Sequence, residues 1–156
     1  MLIRKATEKD VENLYQLLRG VQSLHANGRP DIFIDGTNKY DKDAIRNILA
    51  DALTPVYVAV DSADDAIGYA FCRIMEEKGT ENLRALKTFY IDDLCVDKQY
   101  RGQGIGKKLY GYAIEKAKEF GCYHLTLNVW HLNENAIKFY EKLGMKPLKT
   151  TMETIL

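Results

Sequence analysis

The stretch YRGQGIGKK (residues 100–108) offers the most specific chemistry in the chain: three glycines at alternate positions between an arginine and two lysines, at the start of an apolar helical repeat. Where a strand turns into a helix, the first N–H groups lack partners and the helix dipole presents its positive end, so such a turn binds anions. Glycine lets phosphate oxygens approach the main chain and adopts the dihedrals that turn successive N–H groups inward. A pyrophosphate is the expected anion. Two familiar phosphate loops do not fit. A Walker loop has four residues between its glycines and then Lys with Ser or Thr, whereas three residues separate Gly102 from Gly106 and Lys108 stands where the hydroxyl belongs. A Rossmann fingerprint spaces its second and third glycines by two residues and opens a repeating βαβ unit, and neither condition holds.

Just upstream lie two adjacent carboxylates, Asp92 and Asp93. Strand alternation puts them on opposite faces, so at most one serves a given site. Tyr140 falls on the apolar side of a short helical repeat, where core packing is the ordinary reading of a tyrosine. His25, His124 and His131 are scattered without the spacing of a metal site or triad. Cys72, Cys95 and Cys122 are odd in number and lack a CxxC pair, which argues against a disulfide framework or a zinc site and for reduced, mostly buried thiols. Lys+Arg and Asp+Glu balance at 22 each, so no basic field exists to collect nucleic acid. No apolar run approaches the roughly 20 residues of a membrane span and the N-terminus lacks a signal-peptide stretch, so a cytoplasmic protein is expected.

The elements that must hold these groups alternate as in a single α/β domain over residues 1–156. LIRKA (2–6) alternates as a strand, and TEKD (7–10) supplies a capping-box-like start to a helix carrying Val11, Leu14, Leu17, Leu18 and Val21. Residues 22–40 are expected to be an ordered loop covering a site, broken by Gly28, Pro30 and Gly36 but studded with Leu24, Ile32, Phe33, Ile34 and Tyr40. A helix around 41–53 precedes a hairpin of VYVAV (56–60) and AIGYAFCRIM (66–75), and LKTFYIDDLCV (86–96) forms the next strand. After the glycines, Ile105, Leu109, Ala113, Ala117 and Phe120 mark the best-defined helix, closed by Gly121. YHLTLNVW (123–130) reads as a strand, Asn133 caps a helix closed by Gly144, and KPLKTTMETIL ends the chain as strand.

These residues also carry a family likeness. RGQGIG (101–106) resembles the R/Q-x-x-G-x-G/A motif of the GNAT superfamily of N-acetyltransferases and matches it in full. LCVDKQYRGQGIGKKL resembles the strand, turn and helix that hold acetyl-coenzyme A there, NENAIKFYEKLGM the later Tyr-bearing helix, and IRKATEKDVENL the first strand and helix. The likeness covers most of the chain and is weakest from about 22 to 50. It implies a twisted mixed sheet of six or seven strands with about four helices, whose central strands splay apart to hold acetyl-CoA. It implies further that backbone N–H groups of Arg101, Gly102, Gln103, Gly104, Ile105, Gly106 and Lys107 hold the pyrophosphate. Leu94, Cys95 and Val96 would pair with the pantetheine arm, and Asn133 and Tyr140 would meet that arm from the other side. No metal is expected. Homodimers through the late strands are common in the superfamily, and the sequence leaves the oligomeric state open.

Acetyl transfer to an amine requires a neutral nucleophile, and a lysine-like ammonium with pKa near 10.4 leaves only about one molecule in a thousand unprotonated at neutral pH. A strand carboxylate would take the proton. By likeness to an acidic pair in polyamine-type members, Asp92 is the expected base; the competing reading leaves both aspartates merely satisfied by sheet-edge bonds or lysines. Tyr140 matches the position of the superfamily's usual acid and would protonate the departing thiolate. A backbone N–H near Leu94 or Cys95 would hold the oxyanion of the tetrahedral intermediate. Direct attack is favoured over an acetyl-cysteine at Cys95, because a strand thiol without a base stays protonated.

The function expected is thus transfer of acetyl from acetyl-CoA to a primary amine, leaning toward a small one. A peptide or protein amine, or an acyl-CoA sensor without turnover, is the alternative. Asp31, Asp35, Asp92 and Asp93 hint at a cationic acceptor, although Arg29 and Lys39 interrupt an acidic pocket. Specificity is expected to reside in residues 22–40 and 76–84, and Trp130 either lines the acceptor pocket or ends a strand.

Overall fold

β1 (Leu2–Lys5) enters the sheet beside β2 (Val56–Val60), and an ion pair near its end fixes the path into the first helix. In the computed structural model, which describes residues 1–156 apart from the side chain of Leu24, Arg4 grips Asp10 with two hydrogen bonds of 2.8 and 2.9 Å. Asp10 also accepts from the Thr7 N–H at 2.7 Å, so one carboxylate closes the turn that starts α1 (Val11–Gly28). Burial works against the Asp10 charge, but Arg4 and Thr7 outweigh it and hold the carboxyl below its ordinary range.

α2 (Lys42–Ala50) is capped by Asp41, whose side chain accepts from the Ala44 N–H at 2.7 Å. β2, β3 (Ala66–Glu77) and β4 (Leu86–Val96) then form an antiparallel meander. α3 (Ile105–Glu119) crosses over, β5 (His124–Leu127) returns parallel to β4, and α4 (Glu134–Lys142) follows. The order across the sheet is the order along the chain. A parallel return needs a crossover, which α3 provides.

Both faces of the sheet are covered. Leu14, Leu18 and Ile45 from α1 and α2 pack on Val56, Val58, Val60, Tyr69 and Phe71, while Ala113 and Ala117 of α3 pack on Ala70, Cys72, Phe89 and Ile91. Leu14 and Leu109 are fully buried, so truncating either to Ala costs about 2–5 kcal/mol. Among the described residues no helix is long and apolar enough to cross a membrane.

The mixed sheet with four helices is the fold expected, with three differences. α1 continues to Gly28, taking the first third of the predicted loop: nothing before Gly28 breaks the helix, and Ala26 is buried. The side chain of Leu24, one of the apolar residues predicted there, lies outside what is described. β5 stops at Leu127 rather than Trp130. Finally, residues 145–156 form no strand, so the sheet has five strands rather than six or seven. A strand exists only against a partner edge, and the tail meets none: Leu148, Met152 and Ile155 stay 72–86% exposed, and Pro147 lacks a donor.

One irregularity shapes the middle of the sheet. Cys72 pairs with Ile91 and Phe71 with Asp93, so Asp92 is an extra residue, a β-bulge in β4. Pairing between β4 and β5 runs from Thr88↔His124 to Ile91↔Leu127 and ends at that same point, whereas β4 continues to Val96.

Candidate active site

Residues 93–96 of β4 therefore pair with β3 on one edge and with no strand on the other. Unpaired strand N–H and C=O groups are a template for an extended ligand. The strand feeds directly into the glycine turn. Asp97 bonds its N–H to Ile67 O at 2.9 Å, its carboxylate accepts from the Gln99 N–H at 2.9 Å, and a short 3-10 turn (Lys98–Tyr100) follows. Arg101 folds back, donating from Nε to Val96 O at 2.9 Å, so its guanidinium braces the end of β4.

The three glycines divide their work. Gly102 and Gly104 sit at φ of 79° and 77°, the left-handed region, and a Cβ at either would meet nothing within 4 Å. They supply dihedrals and an open concavity. Gly106 has ordinary dihedrals, but a Cβ there would come within 3.2 Å of Phe139, so this glycine seats α4 on α3. The first helical bond of α3 runs from the Lys108 N–H to Gly104 O at 3.1 Å. By helix geometry the preceding N–H groups of residues 105–107 have no intrahelical acceptor. In shape and sign this cradle could hold a pyrophosphate.

The aspartates do not point to opposite faces, as strict alternation predicts; the bulge cancels one step and brings both to the side of α1 and α2. Asp92 accepts from Tyr40 Oη at 2.6 Å and pairs with Lys39 Nζ at 2.8 Å and Arg73 at 3.6 Å. Asp93 accepts from Tyr69 Oη at 3.1 Å. Tyr40 and Tyr69 both pack on Phe71, with ring centroids 5.7 and 5.1 Å away, so one aromatic cluster carries both carboxylates.

Their electrostatics diverge. Desolvation opposes the Asp92 charge, but Lys39 and Tyr40 outweigh it and hold this carboxyl below its ordinary value. Asp93 has no such partner. Desolvation pushes it up to about 6 despite the Lys39 charge and the Tyr69 hydrogen bond.

Tyr140, on α4, stacks obliquely on Tyr110 of α3 at 6.3 Å. Burial first and the nearby Asp93 charge second raise its phenol well above the ordinary value, so it holds its proton at neutral pH. Cys95 is likewise pushed up to about 11 by burial and Asp93, and remains a thiol. Asn133 caps α4, accepting from the Ala136 N–H at 3.2 Å. Trp130 meets Phe33 edge-on at 5.2 Å, and a Cβ on Gly28 would lie 2.8 Å from Leu132, so Trp130 and Leu132 lean on the end of α1 and the following loop.

The fold thus gathers Asp93, Cys95 and Tyr140 near one another, with residues 94–96 and the glycine turn adjoining. Sequence reasoning gave Tyr69 and Arg73 no role, since both read as routine strand positions. It treated Tyr40 as an apolar loop residue; Lys39 was expected to interrupt an acidic pocket, and its ion pair with Asp92 agrees with that. The available signal was a pair of acidic residues that needed cations and hydroxyls from somewhere. Among the described residues no cluster of His, Cys, Asp or Glu could hold a metal ion.

Comparison with known proteins gives a consistent picture. A family model described as the acetyltransferase (GNAT) family matches residues 18–145. Peptidyl-lysine N-acetyltransferase YjaB of Escherichia coli (strain K12) is 32% identical over 146 residues, 92% of this chain and 81% of that protein. The thialysine N-epsilon-acetyltransferase of Bos taurus is 39% identical over 62 residues, 40% of this chain and 36% of its own. Among solved structures, a tetramutant of the BH1408 protein from Bacillus halodurans superimposes with a TM-score of 0.96 at 31% identity, covering 100% of both chains.

Proposed function

Because the chain belongs to the GNAT family of acetyltransferases, and is on that ground an acetyl-CoA-dependent N-acetyltransferase acting on amines, we propose that its acceptor is a lysine-type primary amine. We propose too that Asp93 takes the proton and Tyr140 returns one. The observation that carries this reading is the coincidence on β4 of an edge open to a ligand and a carboxyl with its pKa near 6, whose charge reaches the protonated phenol of Tyr140 on α4. Two relatives whose names specify a lysine-type amine support the acceptor class.

In this reading the donor substrate lays its pantetheine arm along residues 94–96 and its pyrophosphate over the N–H groups of residues 101–107, with Asn133 and Tyr140 on the far side. The acceptor arrives as an ammonium, drawn by Asp92 and Asp93. With a pKa near 6, Asp93 is about nine-tenths ionised at pH 7 and accepts the proton directly or through a water. Asp92, held low by Lys39 and Tyr40 against its burial, is the weaker base and acts as an electrostatic anchor. The neutral amine attacks the acetyl carbon, a backbone N–H near Leu94 or Cys95 holds the oxyanion, and Tyr140 protonates the leaving thiolate. The thiol state of Cys95 favours direct transfer.

Measuring thiol release from acetyl-CoA against lysine peptides, free lysine, polyamines and aminoglycosides tests the acceptor class. Release with lysine peptides or small unbranched amines supports it. Release with aminoglycosides alone overturns it. A homodimer is the assembly that would cover the apolar tail, and light scattering checks it; three unpaired cysteines fit a reducing compartment such as the cytoplasm.

A further inference from the structure

One member of the acidic pair, Asp92, is already in contact with a primary amine, and the other lies within range of its charge. Lys39 Nζ donates to the Asp92 carbonyl at 3.2 Å, pairs with the Asp92 carboxylate at 2.8 Å and senses the charge of Asp93. It reaches β4 where β5 no longer flanks it, two residues before Leu94. Lys39 is not on a loose loop. Asn38 donates to Tyr15 O on α1 at 3.1 Å, Tyr40 is fixed by Asp92 and by Arg73 at 3.0 Å, and Asp41 caps α2. The residues on each side of Lys39 therefore hold its amine in the place a cationic acceptor would take.

We infer that Lys39 is itself an acetyl acceptor, so that the enzyme modifies its own acceptor-side loop. The inference rests on the reaction proposed above. The Lys39 ammonium gives a proton to Asp93, and its lone pair attacks the acetyl carbon. The carbon–sulfur bond then breaks, and the thiolate leaves with a proton from Tyr140. The second amine proton restores the Tyr140 phenol, and Asp93 passes the first to solvent. The balance is one amide, one free coenzyme A thiol and one proton released. Burial works against the Lys39 charge, but Asp92 outweighs it and keeps the amine protonated most of the time, which makes the self-reaction slow beside turnover of a diffusible amine. The product is a neutral side chain, so Asp92 loses its closest cation and the acidic pair faces the acceptor with Arg73 alone beside it.

The test uses the full chain with acetyl-CoA and no added amine, read by intact mass and peptide mapping. Lys39 should acquire one acetyl group at least tenfold faster than exposed Lys138 and Lys146, at a first-order rate independent of protein concentration. Asp93→Asn and, independently, Tyr140→Phe should each slow the mark at Lys39 at least tenfold and leave Lys138 unchanged. A Lys39 rate no faster than that of Lys138, or one that rises with protein concentration, overturns the inference. If Lys39 stays unmodified while added amines release thiol, only this inference fails; if neither occurs, the proposed reaction fails with it.

Discussion

Replacing Asp93 by Asn should make the protein more stable and the enzyme worse, and the structure gives both magnitudes. In the fold the carboxyl is pushed from an ordinary 3.8 to about 6, so carrying its charge costs about 3 kcal/mol, at about 1.36 kcal/mol per pH unit. The sign follows from proton binding. Below the unfolded value both states are protonated and nothing is lost. Between that value and about 6 the unfolded chain releases its proton first, so stability falls as pH rises through this window and stays level above it. Asparagine cannot ionise and can still accept from Tyr69, so at pH 7–8 the variant should gain up to about 3 kcal/mol, roughly 6–12 °C in Tm for a chain of this size. The gain should vanish near pH 4. Activity should move the other way: kcat/KM falls about 10²–10⁴-fold, and the rise of wild-type kcat/KM through pH about 6 disappears. Thermal melts from pH 4 to 8 and a pH–rate profile measure both. An Asp93→Asn variant that keeps the wild-type profile, or that is less stable at pH 7, refutes the reasoning. Asp92→Asn is the matched control, because it removes the charge that pairs with Lys39 and Arg73 and should lower stability; it should keep the acid limb but move it to lower pH, since the Asp92 charge helps to raise Asp93.

Other outcomes follow from single contacts. Tyr140→Phe should lower kcat about 10²-fold while leaving the melt close to wild type, since the ring packing on Tyr110 is kept; single-turnover kinetics separate the chemical step from product release. Gly104→Ala must place a side chain at φ 77°, costing about 1–2 kcal/mol, and should weaken acetyl-CoA binding by calorimetry with little change in acceptor KM. Arg4→Ala leaves the Asp10 carboxylate, 2% exposed, without its cation and should cost about 3–5 kcal/mol by denaturant melt. Because the Asp10 pKa is depressed in the fold, that pair stabilises the wild type above the ordinary carboxylate value. The contribution is lost as pH falls through the folded pKa, so the gap between variant and wild type should narrow toward strongly acid pH.

Much of this site was legible in the letters. Alternation in VYVAV and AIGYAFCRIM, the helical repeat after Gly106 and the spacing of RGQGIG are local signals, and local physics decides them. The extra residue in β4 was invisible, since Asp92 looks like any strand position until Phe71 and Cys72 are seen across from it. The contact from Lys39 to Asp92 spans 53 residues, and no periodicity encodes it. Breakers misled at α1, where Gly28, Pro30 and Gly36 suggested a loop from residue 22 although the first of them stands only where the helix ends. At the C-terminus TTMETIL has strand composition, and composition cannot supply the missing edge.

The bulge at Asp92 acts as a change of reading frame within the sheet. Upstream, the odd-numbered Phe89 and Ile91 face α3; downstream, the even-numbered Leu94 takes that face and odd-numbered Cys95 joins the core under α1. Excising residue 92 would therefore restore uniform alternation and leave its neighbours on the faces they already occupy. A chain so shortened should fold by circular dichroism, lose the anchor for Lys39 and Tyr40, and keep Asp93 against Tyr69. Excising Leu94 instead would turn Cys95 into the apolar layer beneath α3 and break the approach to the glycine turn. Length variation in this strand is thus expected at position 92 alone, while the residues that follow it change in identity but not in number.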